Sequence, residues 1–291
     1  MIKPLSYIFI VSLLFSFTLE ARSLLYKVSS KASTLYILGS IHLAKPEFYP
    51  LDRPIEEAYQ KSDVLVVEVD VENAEAVMVM QKAMMKLGVY PPSKSLKTEL
   101  SPKTYSALQN YADKTGLQLS AMEQMRPWVV MLQLAMTEMI RLGYSPEFGI
   151  DKHFLERARV AKKSVLELET IQEQMALLSR DDKVYQDKLL RYTLASMHEI
   201  EPMLKQLSDS WRNGNAEAME KIFLLSMQDD AELQDVYDDL ITKRNHKMTE
   251  KIVNFMKTEK VYFVVVGAGH VIGKEGIVTL LKQKGYTVSQ Q

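Results

Sequence analysis

The pattern of apolar and polar positions divides the chain into strand-like ends and a long helical middle. Short β-prone runs at 24–28 and 35–38 precede a polar helical stretch at 54–62 and a continuous apolar run at 64–69. An alternation of strand, helix and strand is typical of a parallel sheet flanked by helices. The N-terminal part of the domain is therefore predicted to begin a sheet.

Helical periodicity dominates the middle of the chain. The predicted helical stretches are 72–87, 101–115, 119–142, 147–161, 171–211 and 215–257, interrupted by a short strand at 164–168. The most apolar strand, Val261–Val266, comes next, followed by a Gly-rich turn, a helix at 276–284 and a last strand at 286–288. This pattern predicts an α/β fold with mixed or parallel sheets, in which a single domain at 24–291 carries a mostly helical insertion at about 72–257.

Residues 1–23 have the features of an export signal. Lys3 provides a positive start, Leu5–Leu19 is an uncharged run of 15 residues, and Ala21-Arg22-Ser23 offers a small-x-small cleavage site. The run is shorter than the roughly 20 residues that a membrane-spanning helix needs. We predict that the signal is cleaved and that the protein is periplasmic or secreted, with an uncleaved membrane anchor as the alternative.

Charge and cysteine content narrow the possible chemistry. The chain has 36 basic and 37 acidic residues, so it lacks the excess of positive charge with which proteins bind nucleic acid. It has no cysteine, which excludes disulfides, a thiolate nucleophile and a cysteine-based zinc site. H-E-x-x-H and G-x-S-x-G are also absent, which removes the usual helix-based zinc peptidases and serine hydrolases.

Two strand-ending turns with the same pattern carry the candidate chemistry. Four apolar residues run into Gly39 with His42 three positions later, and the pattern repeats at Gly267 and His270. Ligands bind at the carboxyl edge of open α/β sheets, so the two imidazoles should face a common cavity if these strands are neighbours. A dinucleotide fingerprint does not fit, because Ile272 occupies the position of its third glycine.

Acidic residues follow other predicted strands. Glu68 lies within the apolar run 64–69, where burial would require a metal, a cation or hydrogen bonds, although exposure at the strand end is equally compatible with the spacing. Glu169 follows the strand at 164–168. Two histidines and one glutamate would suit Mn²⁺, Fe²⁺, Co²⁺ or Zn²⁺. The default expectation is a first-turn helix position for Asp151 and a solvent-exposed helix face for Arg244 and Asn245.

A set of short motifs, in this order, resembles the TraB/GumN family. The matching segments are Leu38–His42, Val66–Asp70, Phe148–Asp151, Leu168–Gln174, Arg244-Asn245, Val266–Gly273 and Gly285-Tyr286. This family is similar to the Tiki metalloproteases and more distantly to the erythromycin-esterase and ChaN-like proteins. The resemblance implies two pseudo-symmetric sheet halves and one cleft faced by His42, Glu68 and His270, with Asp151, Glu169, Arg244 and Asn245 around it.

The leading hypothesis is an exported, metal-dependent hydrolase that acts on peptides or proteins. His42, Glu68 and His270 are expected to hold a divalent metal, Mn²⁺ or Co²⁺ rather than Zn²⁺. Glu169 would be the general base, a role that it could exchange with Glu68, while Arg244, beside Asn245, would stabilise an oxyanion or bind a substrate carboxylate. The alternative is a non-catalytic protein that sequesters a peptide, haem or another metal-bearing ligand in the same cleft.

Overall fold

Six strands form one mixed sheet in the computed structural model, which describes residues 23–30, 33–223 and 233–291 together with 227 and 231. The strands are β1 (Leu25–Ser29), β2 (Thr34–Ser40), β3 (Val64–Val67), β4 (Ser164–Glu167), β5 (Tyr262–Gly267) and β6 (Thr287–Gln290). Their order across the sheet is β4-β3-β5-β2-β1-β6. The predicted α/β fold with a large helical region is confirmed. Residues 1–22 of the predicted export signal lie outside the described residues.

Four neighbouring strands of the sheet run parallel. β5 lies between β2 and β3 and pairs with both, placing Ser40 opposite Gly267 and Val67 opposite Val265. β4 pairs with the other side of β3, also in parallel, whereas β1 and β6 complete the opposite edge in antiparallel pairs. The carboxyl ends of β2, β3, β4 and β5 therefore meet at the same edge of the sheet.

Helices supply the rest of the described chain. The α-helices are α1 (Arg53–Lys61), α2 (Ala74–Leu87), α3 (Leu96–Glu99), α4 (Pro102–Thr115), α5 (Pro127–Arg141), α6 (Ile150–Val160), α7 (Ile171–Leu178), α8 (Lys183–Ser196), α9 (Ile200–Arg212), α10 (Ala216–Phe223), α11 (Gln234–Tyr237), α12 (Lys243–Phe255), α13 (Ala268–Val271) and α14 (Ile277–Gln283). A π-helical turn, Asp238–Thr242, joins α11 to α12, and 3-10 turns lie at Pro46–Phe48, Leu119–Ala121 and Pro146–Phe148. No helix in the described part of the chain combines the length and apolarity needed to cross a membrane.

Burial of apolar side chains joins the helices to the sheet. The fully buried strand residues Leu65 and Phe263 belong to the main core together with Ile55 of α1, Phe154 of α6 and Ile252 of α12. A separate apolar cluster lies within the helical region, where Leu108, Val130 and Leu190 bring α4, α5 and α8 together. The helical region thus has a core of its own beside the core of the sheet.

Local start signals explain where the predicted helices differ from the observed ones. The stretch 119–142 is a 3-10 turn followed by a helix that begins at Pro127, a residue that fits the first helical turn because it needs no N–H there. The stretch 171–211 is divided into α7, α8 and α9. Asp182 begins α8 by accepting hydrogen bonds from the backbone N–H groups of Val184 and Tyr185.

The third strand is shorter than predicted. The apolar run at 64–69 was expected to be one strand containing Glu68, but β3 ends at Val67 and Glu68 is the first residue after it. Its backbone leaves the sheet there, and the Glu68 carbonyl accepts a hydrogen bond from the Glu169 N–H at 2.9 Å. This contact joins the ends of β3 and β4 and keeps the two glutamates side by side.

Candidate functional site

Each of the four parallel strands delivers one candidate residue to the same edge of the sheet. His42 lies two residues beyond the end of β2, Glu68 follows β3 directly, Glu169 lies two residues beyond β4, and His270 lies three beyond β5. Because β5 lies between β2 and β3, His270 emerges between the strand ends that carry His42 and Glu68. The two strand-ending turns are therefore neighbours, as the proposed common cavity requires.

His270 is a buried, neutral imidazole with a fixed orientation. Asn245 donates from Nδ2 to the Glu275 carbonyl at 2.7 Å, which leaves its Oδ1 to accept from His270 Nδ1 at 2.6 Å. Burial lowers the pKa of His270 to about 4, so the ring is neutral near pH 7. Its Nε2 therefore carries a lone pair and, within the described residues, has no hydrogen-bond partner.

His42 is held in the same way by a carboxylate. Its Nδ1 lies 2.9 Å from Asp151 Oδ2, and Ser40 donates to the other carboxylate oxygen at 2.7 Å. The negative charge of Asp151 holds the pKa of His42 well above its usual range. Gly149 permits this contact, because a Cβ there would stand 2.4 Å from the His42 carbonyl oxygen. The Nε2 of His42 likewise has no hydrogen-bond partner among the described residues.

Glu68 is the buried carboxylate between the two histidines. It is only 7% exposed, and its Oε1 accepts from the Gly267 N–H at 2.6 Å. Oε2 accepts from Arg244 Nη2 at 2.7 Å and from Gln174 Nε2 at 3.2 Å. Burial alone would raise the pKa of Glu68. The charge of His270, which is protonated only below about pH 4, acts with the charges of His42 and Arg244 and with the Gly267 N–H to outweigh burial and lower the pKa of Glu68 to about 2.

Arg244 binds both buried glutamates. Its Nη2 lies 2.6 Å from Glu169 Oε2, its Nε lies 2.9 Å from Glu169 Oε1, and the same Nη2 reaches Glu68. Gln174 adds a hydrogen bond to Glu169 Oε2 at 3.0 Å. Both oxygens of Glu169, the expected general base, are thus engaged by Arg244 and Gln174.

The default expectation of a solvent-exposed helix face is wrong for Arg244 and Asn245. Asn245 is completely buried and the side chain of Arg244 is only 15% exposed, because α12 packs this end of its length against the sheet edge. Asp151 does lie in the first turn of α6, but it binds His42 and Ser40 rather than serving only as a helix-end residue. No role was predicted for Gln174 or Ser40 from the sequence, although both lie inside the quoted motifs.

The other histidines lie outside this cluster. His153 packs against Tyr49 and Phe154, with ring centroids 4.9 Å and 5.1 Å away, respectively. His198 and His246 have exposed side chains. These positions agree with the surface or structural roles expected of helical histidines in charged sequence.

The donor types fit a divalent metal, but the donors do not enclose one as they stand. Within the described residues, no group of three His, Asp or Glu side chains has a metal-holding arrangement. Even so, both imidazoles are anchored through Nδ1, as metal-binding histidines are. The Nε2 of neutral His270 has a lone pair, whereas His42, with its raised pKa, has to release a proton from Nε2 before it can bind a metal. A Cβ on Gly267 would stand 3.2 Å from Glu68 Oε1 and 3.7 Å from His42 Nε2. The space above this glycine is therefore bordered by two of the three expected ligands, with His270 beside it.

A cleft of about 470 Å³ opens over this cluster. One side is formed by the strand-end residues, and the other by apolar side chains from the helical region. The apolar side includes Met139 of α5, Leu177 of α7, Leu204 and Leu207 of α9, Met219 of α10 and Leu240 of the π-helical turn. Sequence reasoning did not assign these residues to the site, because apolar helix positions of this kind are also typical of ordinary core packing.

Comparison with known proteins agrees with this architecture. A sequence model of the TraB/PrgY/gumN family matches residues 24–290. The chain belongs to the TraB/PrgY/gumN family. That match covers β1 to β6 and includes all seven site residues: His42, Glu68, Asp151, Glu169, Arg244, Asn245 and His270.

Relatives of this TraB/PrgY/gumN protein include bacterial and animal chains. Uncharacterized protein YbaP of Escherichia coli (strain K12) is 27% identical over 248 residues, which cover 85% of this chain and 87% of YbaP. Metalloprotease TIKI1 of Danio rerio is 21% identical over 302 residues, covering 87% of this chain and 60% of TIKI1. Metalloprotease TIKI2 of Xenopus tropicalis is 36% identical over 58 residues, or 19% of this chain and 11% of TIKI2. No solved structure matches the chain significantly.

Proposed function

We propose that this chain is a metal-dependent hydrolase of peptides whose reaction centre is the cluster of His42, Glu68 and His270. The observation that carries the proposal is the pair of imidazoles anchored through Nδ1, whose Nε2 atoms have no hydrogen-bond partner among the described residues, beside a buried carboxylate at the floor of a cleft. The likeness to chains named metalloproteases supports the reaction class.

A divalent metal at this cluster would polarise a substrate carbonyl and make a bound water more acidic. His42, His270 and Glu68 are the residues that would hold it, and we propose Mn²⁺ or Co²⁺ rather than Zn²⁺. Asp151 and Asn245 keep the two imidazoles oriented through their Nδ1 atoms. These two positioning contacts would matter for metal binding even though neither residue needs to touch the substrate.

The other polar residues are assigned by what they contact. Arg244 lines the cleft, but its guanidinium donates hydrogen bonds to Glu68 and Glu169. We therefore assign it to hold these two carboxylates in position. Because both oxygens of Glu169 are engaged, we assign Glu169 to hold Arg244. Both oxygens of Glu68 are engaged as well, so we leave proton transfer to a group of the substrate. Neither glutamate therefore keeps the general-base role first expected of Glu169, with Glu68 as the alternative.

The apolar wall of the cleft indicates what part of a peptide would bind there. Leu204, Leu207 and Met219 offer no charge and no strong hydrogen-bonding group, so an apolar side chain of the substrate would gain most from contact with them. With the predicted export signal, the activity would be exerted in the periplasm or outside the cell on exported peptides or proteins.

A first experiment is metal analysis by mass spectrometry on the protein and on the variants His42→Ala and His270→Ala. We expect near-stoichiometric metal in the unaltered protein after incubation with Mn²⁺ or Co²⁺, and loss of metal from both variants. His198→Ala is the matched control, because its side chain is exposed and lies outside the cluster. Absence of metal from every sample would contradict the proposal.

A peptide-library digest then tests the reaction. Cleavage by the unaltered protein should stop on chelation and in both histidine variants, while His198→Ala stays active. The alternative function is that of a binding protein. It is favoured by the pairing of the carboxylates with Arg244 and by the apolar side of the cleft. A binding protein would retain a peptide, haem or another metal-bearing ligand stoichiometrically and release it intact.

A further inference from the structure

Arg244 uses nearly all of its hydrogen-bonding capacity inside the site. Its Nε and Nη2 bind Glu169, Nη2 also binds Glu68, and Nη1 donates to the Leu240 carbonyl at 3.1 Å. A guanidinium has five N–H donors, so this leaves little with which to bind a substrate. Arg244 is thus the counter-ion of two buried carboxylates, Glu68 and Glu169.

These contacts place Arg244 in competition with any metal for the same carboxylate. Glu68 Oε2 is 2.7 Å from the guanidinium, while Oε1 accepts from the Gly267 N–H and faces His270 Nε2 at 3.8 Å. A divalent cation beside Glu68 would be repelled by the neighbouring positive charge, and repulsion is strong where little water screens it. The cluster is already charge-compensated before any metal arrives.

Glu169 limits this competition. It accepts three of the four hydrogen bonds that the guanidinium donates to the two carboxylates, and Gln174 holds its Oε2 in place at 3.0 Å. Without Glu169, the planar fork of Arg244 could turn both of its donor groups towards Glu68, the bidentate geometry that arginine favours with carboxylates. Glu169 thus keeps Arg244 from forming a bidentate ion pair with Glu68.

We propose that Arg244 is a positioning residue that competes with a divalent cation for Glu68, and that Glu169 sets the strength of this competition. The inference rests on the proposed metal-dependent function. It assigns to this pair the control of how tightly the site holds its metal, a property separate from the hydrolytic step. A residue with only a structural role would weaken metal binding on removal, whereas this arrangement predicts the opposite sign.

Isothermal titration with Co²⁺, together with the visible absorption of bound Co²⁺, tests the proposal without using activity. We expect Arg244→Gln to bind Co²⁺ at least about tenfold more tightly than the unaltered protein, because a repelling charge is gone while the amide still hydrogen-bonds the carboxylates. Glu169→Gln should bind Co²⁺ at least about tenfold more weakly. Equal or weaker binding by Arg244→Gln would overturn the inference.

Further variants and comparisons distinguish a folding defect from a change in metal affinity, and failure of this inference from failure of the proposed metal-dependent function. If Arg244→Gln does not give a cooperative thermal transition, Arg244→Met serves in its place, since it also removes the positive charge and keeps an unbranched side chain, and tighter Co²⁺ binding is again expected. Binding by the Arg244 variant with none by the unaltered protein would support the competition while contradicting the proposed function. If the unaltered protein binds Co²⁺ and the Arg244 variant does not, the proposed function is supported and the competition is contradicted.

Discussion

Gly267 shows how one residue without a side chain shapes the site. Its backbone φ of −50° and ψ of 139° are open to any residue, so conformational freedom is not the reason for glycine here. Space is the reason, since an added Cβ would stand 3.2 Å from Glu68 Oε1, the atom that the Gly267 N–H already binds at 2.6 Å. Glu68 cannot move away without breaking its contact with Arg244.

The substitution Gly267→Ala should therefore weaken both metal binding and the fold. We expect Co²⁺ binding to weaken at least about tenfold and the free energy of unfolding to fall by about 1–3 kcal/mol, because the backbone position is unstrained but the added Cβ displaces Glu68 from its buried contacts. Titration calorimetry and urea denaturation measure the two quantities on one preparation. Wild-type metal affinity in this variant would show that the space above Gly267 is not part of the site.

The π-helical turn Asp238–Thr242 sets the direction in which Arg244 and Asn245 project from α12 towards the sheet edge. A π turn accommodates an extra residue, which rotates the following helix by about 100° relative to an uninterrupted α-helix. The turn is fixed by Asp239, which is 9% exposed and accepts from Arg180 Nη1 at 2.8 Å and from Lys243. A solvent-exposed position was expected for both residues because the surrounding helical sequence is charged, and nothing in that sequence indicated the π turn that rotates them towards the sheet edge.

Loss of the buried contact at Asp239 should destabilise this element and disturb Arg244. For Asp239→Ala we expect about 1–3 kcal/mol lower free energy of unfolding, because the hydrogen bonds that this nearly buried carboxylate accepts from Arg180 and Lys243 are lost. Lys243→Ala is the matched control: its side chain is 68% exposed, so its pair with the same carboxylate should contribute under about 1 kcal/mol. Urea denaturation of both variants distinguishes them, and equal losses would contradict the assigned role of the turn.

At the scale of elements, prediction succeeded where the signal is local. The strand runs, the turns at Gly39 and Gly267 and the helix at 276–284 all follow from short stretches of residues, and each has an observed counterpart. Helix ends at Pro127 and Asp182 depend on capping and first-turn chemistry that periodicity alone does not register.

At the scale of the whole molecule, the site depends on contacts that no local pattern encodes. His42 and His270 are separated by more than two hundred residues, and only the insertion of β5 between β2 and β3 brings them together. The sequence identifies His42, Glu68, Glu169 and His270 because they stand at strand ends. The helical residues Asp151, Arg244 and Asn245 were connected with the cleft only through the family resemblance. The sequence does not identify the apolar wall of the cleft, since Leu204, Leu207 and Met219 join the site only once the helical region has packed over the sheet edge.

The same assembly makes the stability of the molecule depend on acid pH. Glu68 has a pKa of about 2 in the fold, against an ordinary value of 4.5 in the unfolded chain, so its ionised form stabilises the native state. That stabilisation is complete above pH 4.5 and is lost as the pH falls towards 2, because the unfolded chain then binds the proton first. We expect the free energy of unfolding in chelator-containing buffer to fall by roughly 1–3 kcal/mol across this window from Glu68 alone.

Urea denaturation at a series of pH values measures this contribution as the difference between the unaltered protein and Glu68→Gln. The variant should be less stable at pH 6 and should lose less on acidification, since it has no carboxylate to protonate at this position. Glu217→Gln, which removes an exposed carboxylate from α10, controls for the change in net charge. If the free energy of unfolding of Glu68→Gln and of the unaltered protein varied with pH in parallel, Arg244 and the Gly267 N–H would not stabilise the ionised Glu68. The proposed competition between Arg244 and a metal for Glu68 would then also be contradicted, because it requires that Arg244 stabilises this carboxylate.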